Sequence, residues 1–223
     1  MNGLTGKPLA LFDCDGTLID SQHDIVEAMH RAFDSVKMVP PARHDVLSII
    51  GLSLPQAMAR LVPEADLDFH DHLSNQYKLA FQTMRRENGV SEPLYPGIAA
   101  LITALEDAGW QLGVATGKSD RGLNICLTNH GIIHRFVTLQ TADRHPSKPH
   151  PAMAHAAMAE ACALPETTVM IGDTSFDMEM AVNAGIRAIG VDWGYHSAEE
   201  LIATGAVAVA HNTDDLARHI GRP

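Results

Sequence analysis

Apolar runs of strand length alternate with amphipathic stretches through the C-terminal part of the chain. The strand-like runs occupy residues 109–116, 136–140, 167–173 and 187–193, with a candidate edge strand at 206–210. The stretches between them have apolar residues at helical spacing and cover residues 97–108, 119–130, 149–162 and 177–185. Strands that alternate with helices predict an α/β fold, a Rossmann-like parallel sheet with helices on both faces.

The first strand stands apart because a long stretch without strand signals follows it. Residues 8–12 form an apolar run, but residues 18–91 contain only helical candidates, at 22–37, 43–51, 54–61 and 67–87. This pattern predicts two domains. The α/β core comprises residues 1–17 plus 92–223, and residues 18–91 form an inserted, all-helical cap domain.

Polar residues follow four of the predicted strands. They are Asp13 and Asp15 after the first strand, Thr116 and Gly117 after the second, Lys148 after the third, and Asp173 and Asp177 after the fourth. In an open parallel sheet, ligands bind beyond the carboxyl ends of the strands. We therefore expect these residues to lie close together at one edge of the sheet.

The chemistry of this set suggests a metal and a phosphoryl group. Carboxylates at one edge repel each other unless a cation lies among them, and oxygen ligands favour a hard ion such as Mg²⁺. A hydroxyl and a lysine beside the metal would hold phosphoryl oxygens. One aspartate could then attack phosphorus, and a second could protonate the leaving alkoxide and later activate water.

Composition narrows the partners and the compartment. A formal net charge of −11 argues against a nucleic-acid partner, because phosphate backbones select basic surfaces. The three cysteines have no CxxC spacing, which favours reduced thiols. No apolar run approaches the roughly 20 residues that a membrane span needs. We expect a cytoplasmic protein without a membrane partner.

Four stretches resemble, in order, the motifs of the haloacid dehalogenase-like hydrolase superfamily: "DCDGTLIDS", "ATGK", "SKPHP" and "IGDTSFD". Within that superfamily, the four stretches are similar to those of the phosphoglycolate phosphatase-like members. These members have a helical cap inserted where residues 18–91 lie. The resemblance implies a Mg²⁺-dependent phosphatase. Its substrate would be a small phosphorylated metabolite, with 2-phosphoglycolate as a candidate, and hydrolysis would pass through an aspartyl-phosphate.

The resemblance also implies a role for each matching residue. Asp13 would be the nucleophile and a Mg²⁺ ligand, and Asp15 the general acid/base, which gives the metal its backbone carbonyl. Thr116, Gly117 and Lys148 would bind the transferring phosphoryl group. Of the two remaining acids, Asp173 would bind Mg²⁺ directly, and Asp177 would support the metal through water or a hydrogen bond.

Several alternatives stay open at this stage. Asp15 favours phosphatase over dehalogenase chemistry, because an alkoxide needs a proton and a halide does not. A pyrophosphatase or a sugar-phosphate mutase of the same fold fits these motifs too, as does an inactive binding or regulatory domain. In the cap, Arg43, His44, Ser53 and Gln56 are candidates for leaving-group contact, with solvated surface as the competing interpretation. Ser21 or Asp20 is expected to cap the first cap helix.

Overall fold

The computed structural model describes residues 6–87 and 89–221, and its six described strands form one parallel sheet. The strand order is β3-β2-β1-β4-β5-β6. The strands are β1 Leu9–Phe12, β2 Gln111–Thr116, β3 Thr138–Thr141, β4 Thr168–Gly172, β5 Arg187–Val191 and β6 Ala208–Ala210. The predicted α/β fold class is confirmed, and β6 is the edge strand that the sequence indicated.

Helices account for most of the remaining described chain. They are α1 Gln22–Ser35, α2 Arg43–Leu47, α3 Leu54–Leu61, α4 Leu67–Glu87, α5 Ile98–Asp107, α6 Asp120–Asn129, α7 Ala152–Ala161, α8 Ser175–Ala184, α9 Ala198–Ala203 and α10 Thr213–Ile220. The sequence did not predict α9 and α10. A capping box between Ser197 and Glu200 begins α9 and was the available signal for it.

The sheet has an apolar layer on each face because successive strand residues point to opposite sides. Phe12 lies in one layer, beneath α5, α6 and α10, whereas Leu11 lies in the other, beneath α7 and α8. The second layer contains a group of buried methionines at positions 153, 158, 170, 178 and 180. Polarizable methionine side chains fill irregular gaps well, which explains how α8 packs closely on the sheet.

The helices α1 to α4 have an apolar core of their own. Met29, Phe33, Met58 and Leu73 are buried in it, and Phe176 from α8 joins it from the sheet side. Because Phe176 is shared, the helical layer rests on the edge of the sheet where α8 begins. The exact domain limits inferred from the sequence stay a prediction. None of the helices in the described residues is long and apolar enough to span a membrane.

Candidate active site

The predicted site residues gather at the carboxyl edge of the sheet. Asp13 follows β1, and its backbone N–H donates to the carbonyl of Ile171 in β4 at 2.9 Å. Asp173 follows β4, and Thr116 ends β2 on the other side of β1. The strand order thus brings together residues that lie far apart along the chain, as the sequence analysis expected.

Asp13 has a buried carboxylate that is poorly satisfied by the protein. Its Oδ1 atom lies 3.0 Å from Nζ of Lys148, but neither carboxylate oxygen accepts a well-oriented hydrogen bond from the described residues. Burial raises the pKa of Asp13 to about 7, although the Lys148 ammonium opposes that rise. A buried acceptor without a donor costs the folded state free energy, so this carboxylate is suited to binding an external ligand.

Lys148 is completely buried, and its ammonium contacts the carboxylates of both Asp13 and Asp177. Its Nζ lies 2.6 Å from Asp177 Oδ1. Burial alone would lower the pKa of Lys148, but the carboxylates of Asp13 and Asp177 outweigh that effect and raise it. Lys148 therefore remains an ammonium beside Asp13.

Asp177 also lies in the first turn of helix α8, where it forms a capping box with Thr174, the N-cap residue. Its Oδ2 atom accepts from the backbone N–H of Thr174 at 3.1 Å and from the Thr174 hydroxyl at 2.7 Å. Here one oxygen serves the helix start and the other serves Lys148.

Asp13, Asp173 and Asp177 form a group that could hold a metal. Each offers a carboxylate oxygen, and these three atoms lie within 4.8 Å of one another. When all three carboxylates are ionised, the group together with the Lys148 ammonium has a net charge of −2. Burial raises the pKa of Asp173 well above its usual range, and the nearby Asp13 carboxylate makes a second, smaller contribution. An all-oxygen donor set with this net negative charge fits a hard divalent cation.

Asp15 lies outside this group because its carboxylate faces the helical layer. The hydroxyl of Ser21 donates to Asp15 Oδ1, and Lys118 Nζ lies 2.6 Å from the same oxygen. Ser21 is the N-cap residue of α1, one of the two residues predicted for that position, but its hydroxyl is directed to Asp15 and makes no capping hydrogen bond. Asp15 is thus separated from the cluster of carboxylates and has donors of its own.

Lys118 connects Asp15 to the helical layer, and the sequence analysis gave it no role. Its ammonium lies 2.9 Å from Glu92 Oε1, and Arg85 in the last turn of α4 lies 2.7 Å from Glu92 Oε2. Burial would lower the pKa of Lys118, but the carboxylates of Asp15 and Glu92 raise it well above its usual range. The only sequence signal for this residue was its position two residues after Thr116.

A cavity of about 260 Å³ lies between these strand ends and the helical layer. Asp13, Asp15, Thr116 and Lys118 contribute to its sheet side, and residues of α1, α3 and α4 form much of the opposite wall. The cap candidates proposed from the sequence are not among its lining residues; these were Arg43, His44, Ser53 and Gln56. Ser53 instead donates its backbone N–H to the Ser147 hydroxyl at 2.8 Å, next to Lys148.

Comparisons with known proteins agree with this geometry. A family model described as "Haloacid dehalogenase-like hydrolase" matches residues 10–191. A protein of Dickeya dadantii named "Probable phosphatase IndB" is 35% identical over 202 residues, which cover 88% of this chain and 86% of that protein. A phosphoglycolate phosphatase of Agrobacterium fabrum is 28% identical over 198 residues, covering 85% of this chain and 82% of that protein.

The fold matches solved structures as well. The crystal structure of a hydrolase from Pseudomonas syringae has a TM-score of 0.81 and covers 96% of this chain and 98% of its own. At 24% sequence identity, this likeness shows the fold alone.

Proposed function

This chain belongs to the haloacid dehalogenase-like hydrolase family, and on that premise we propose that it is a Mg²⁺-dependent phosphatase of small phosphomonoesters. The observation that carries the proposal is the Asp13 carboxylate. It is buried, it accepts no well-oriented hydrogen bond from the described residues, it lies 3.0 Å from Lys148 Nζ, and it lines a cavity together with Thr116. The names of the relatives, a phosphatase and a phosphoglycolate phosphatase, support the same chemistry.

In the first proposed step, an Asp13 carboxylate oxygen attacks the phosphorus atom. The bond from phosphorus to the ester oxygen breaks, and the phosphoryl group becomes attached to Asp13 as an acyl phosphate. Asp15 donates its proton to the departing alkoxide, which leaves as an alcohol. The Thr116 hydroxyl and the Lys148 ammonium, both buried, hold phosphoryl oxygens and offset their charge.

In the second step, the acyl phosphate is hydrolysed. Asp15, now a carboxylate, removes a proton from a water molecule, whose oxygen attacks phosphorus and releases Asp13 and inorganic phosphate. Lys118 and the Ser21 hydroxyl hold the Asp15 carboxylate in place for both transfers. Each cycle consumes one ester and one water and yields one alcohol and one phosphate.

Asp13 and Asp173 would hold Mg²⁺, together with the Asp15 carbonyl, and Asp177 would support them through Lys148. The bound ion would neutralise charge on the phosphoryl oxygens. This assignment rests on the donor set described above, in which three carboxylates face one ammonium.

We propose further that residues 18–91 act as a cap over a core of residues 1–17 plus 92–223. The cavity between the helices and the sheet edge would enclose the substrate and exclude water during phosphoryl transfer. Among substrates, 2-phosphoglycolate belongs in the assay panel because a relative is named for its hydrolysis.

The test of the proposed function is phosphate release from p-nitrophenyl phosphate. Wild-type protein should be active with Mg²⁺, inactive in EDTA and active again when Mg²⁺ is restored. Asp13→Asn should lose at least about 1,000-fold in rate, because the nucleophile is absent. Asp20→Asn is the matched control: Asp20 lies in the same loop, outside the cavity lining, and should retain activity. An active Asp13→Asn protein would refute the proposal.

A further inference from the structure

We infer that the cavity binds a phosphomonoester whose leaving group has a bulky apolar or aromatic body, rather than a short carboxylate. This inference rests on the proposed function and concerns the substrate class of the same site. It follows from the chemistry of the cavity wall opposite the carboxylates and from the pairing of the charged groups at its base.

The wall that faces the reactive residues is largely apolar. Its side chains come from α1, from the segment before α3, from α3 itself and from α4, namely Ile25, Met29, Ile49, Leu54, Tyr77 and Phe81. Ala57 in α3 adds a small side chain that leaves space beside them. A leaving group gains binding free energy here in proportion to the apolar surface that it buries.

Two of the cations that line the cavity are already paired with carboxylates. Lys118 lies 2.6 Å from Asp15 and 2.9 Å from Glu92, and Arg85 lies 2.7 Å from Glu92. In 2-phosphoglycolate, a single methylene separates the ester oxygen from the carboxylate. That carboxylate would be desolvated near Asp15 and Glu92 and would compete with both for Lys118. The base of the cavity therefore disfavours a second negative charge so close to the phosphoryl group.

Other basic side chains line the cavity but are exposed. They are Lys78 and Arg86 of α4 and Arg121 of α6. Water and salt weaken their attraction for a bound carboxylate. They can still draw a phosphate dianion toward a protein whose net charge is −11. These cations thus aid approach, whereas the apolar wall distinguishes one leaving group from another.

Three phosphonates test the inference by binding alone. They are stable isosteres of three primary-alcohol phosphates: 3-phosphonopropionate for 2-phosphoglycolate, propylphosphonate for ethyl phosphate, and 2-phenylethylphosphonate for benzyl phosphate. Each dissociation constant is measured by calorimetry on the wild-type protein with Mg²⁺. Because a buried methylene tightens binding by about fourfold, we expect 2-phenylethylphosphonate to bind at least tenfold more tightly than either of the others.

A pair of leucine variants locates the effect in the cavity. Leu54→Asn places an amide in the apolar wall and should weaken binding of 2-phenylethylphosphonate about tenfold, while propylphosphonate changes less than threefold. Leu79→Asn makes the same change on α4 at a side chain that is 53% exposed and outside the cavity lining. This control should bind both compounds as the wild type does.

Two results would overturn the inference. One is 2-phenylethylphosphonate binding no more tightly than propylphosphonate, and the other is 3-phosphonopropionate binding as tightly as 2-phenylethylphosphonate or more tightly. Phosphate release from p-nitrophenyl phosphate reports separately on the proposed function. A protein that hydrolyses that ester but prefers 3-phosphonopropionate would keep the phosphatase assignment and lose only the substrate class.

Discussion

Lys148 and Asp177 form a fully buried ion pair, with 2.6 Å between Nζ and Oδ1, and this pair connects the start of helix α8 to Asp13. The second carboxylate oxygen of Asp177 accepts two hydrogen bonds from Thr174, the N-cap residue of α8, so the aspartate is fixed within the first turn of that helix. Lys148 is fixed in turn, 3.0 Å from Asp13 Oδ1. The position of the proposed phosphoryl-binding ammonium thus depends on a helix cap.

Replacing Asp177 with Asn should reduce both stability and activity. An amide can still accept from Thr174, but it leaves Lys148 with one buried counter-charge, and removing one partner of a buried pair costs about 3 kcal/mol or more. We expect a loss of about 3 kcal/mol in unfolding free energy, measured by urea denaturation, and at least a tenfold lower kcat. Asp71→Asn, on the exposed surface of α4, should change stability by less than about 0.5 kcal/mol. Equal stability of the two variants would contradict this account.

The fold could be predicted because its signals are local and repeated. The apolar runs have strand length, and the helices between them have caps such as the Ser119 hydroxyl, which accepts from the Gly122 backbone N–H. Helices α9 and α10 were missed although each has a cap in the sequence: Ser197 and Glu200 form a capping box at α9, and the Asn212 side chain accepts from the Asp215 N–H at α10. Their stability comes from packing on the sheet, through Leu201 and Leu216, which a local pattern does not display.

The site residues likewise fall into those that the sequence could predict and those that it could not. Asp13, Thr116, Lys148 and Asp173 could be placed together because strand ends in a parallel sheet share an edge. The partners of Asp15 could not be predicted from the sequence. Ser21 and Lys118 reach it from two separate segments, and Glu92, from a third, contacts Lys118. Their meeting depends on how these segments pack in the folded chain. Long-range side-chain pairing of this kind produces no periodic pattern of apolar and polar residues in the sequence.

Lys118→Met should impair proton transfer more than phosphoryl transfer. Without the ammonium, the Asp15 carboxyl is no longer held by its ion pair, and proton donation matters most when the leaving alcohol is weakly acidic. We expect kcat for benzyl phosphate to fall at least about 100-fold and kcat for p-nitrophenyl phosphate less than tenfold. Lys7→Met, at an exposed lysine remote from the cavity lining, should leave both values unchanged. A purely structural role for Lys118 would reduce both rates equally.

Gly117→Ala should disturb the contact between residues 51–52 and the end of β2. A Cβ atom at this position would lie 2.5 Å from the carbonyl oxygen of Leu52 and 2.8 Å from that of Gly51, so residues 51–52 would have to move away. We expect kcat/KM for p-nitrophenyl phosphate to fall at least tenfold, because misplacement of a closing segment opens the site to water. The melting temperature should change by only a few degrees. An unchanged kcat/KM would show that this contact is dispensable.

Asp13→Asn should stabilise the metal-free protein in a pH-dependent manner. Burial raises the folded-state pKa of Asp13 from its usual 3.8 to about 7, so the unfolded chain ionises first. The resulting penalty on the folded wild type is absent below pH 3.8, grows between pH 3.8 and 7, and stays constant above pH 7. In EDTA, we therefore expect the variant to melt several degrees higher than the wild type at about pH 8, and the difference to shrink toward about pH 5. Mg²⁺ should reverse the order at about pH 8, because binding stabilises the folded wild type with its intact carboxylate. A melting difference that is independent of pH would contradict a raised pKa at Asp13.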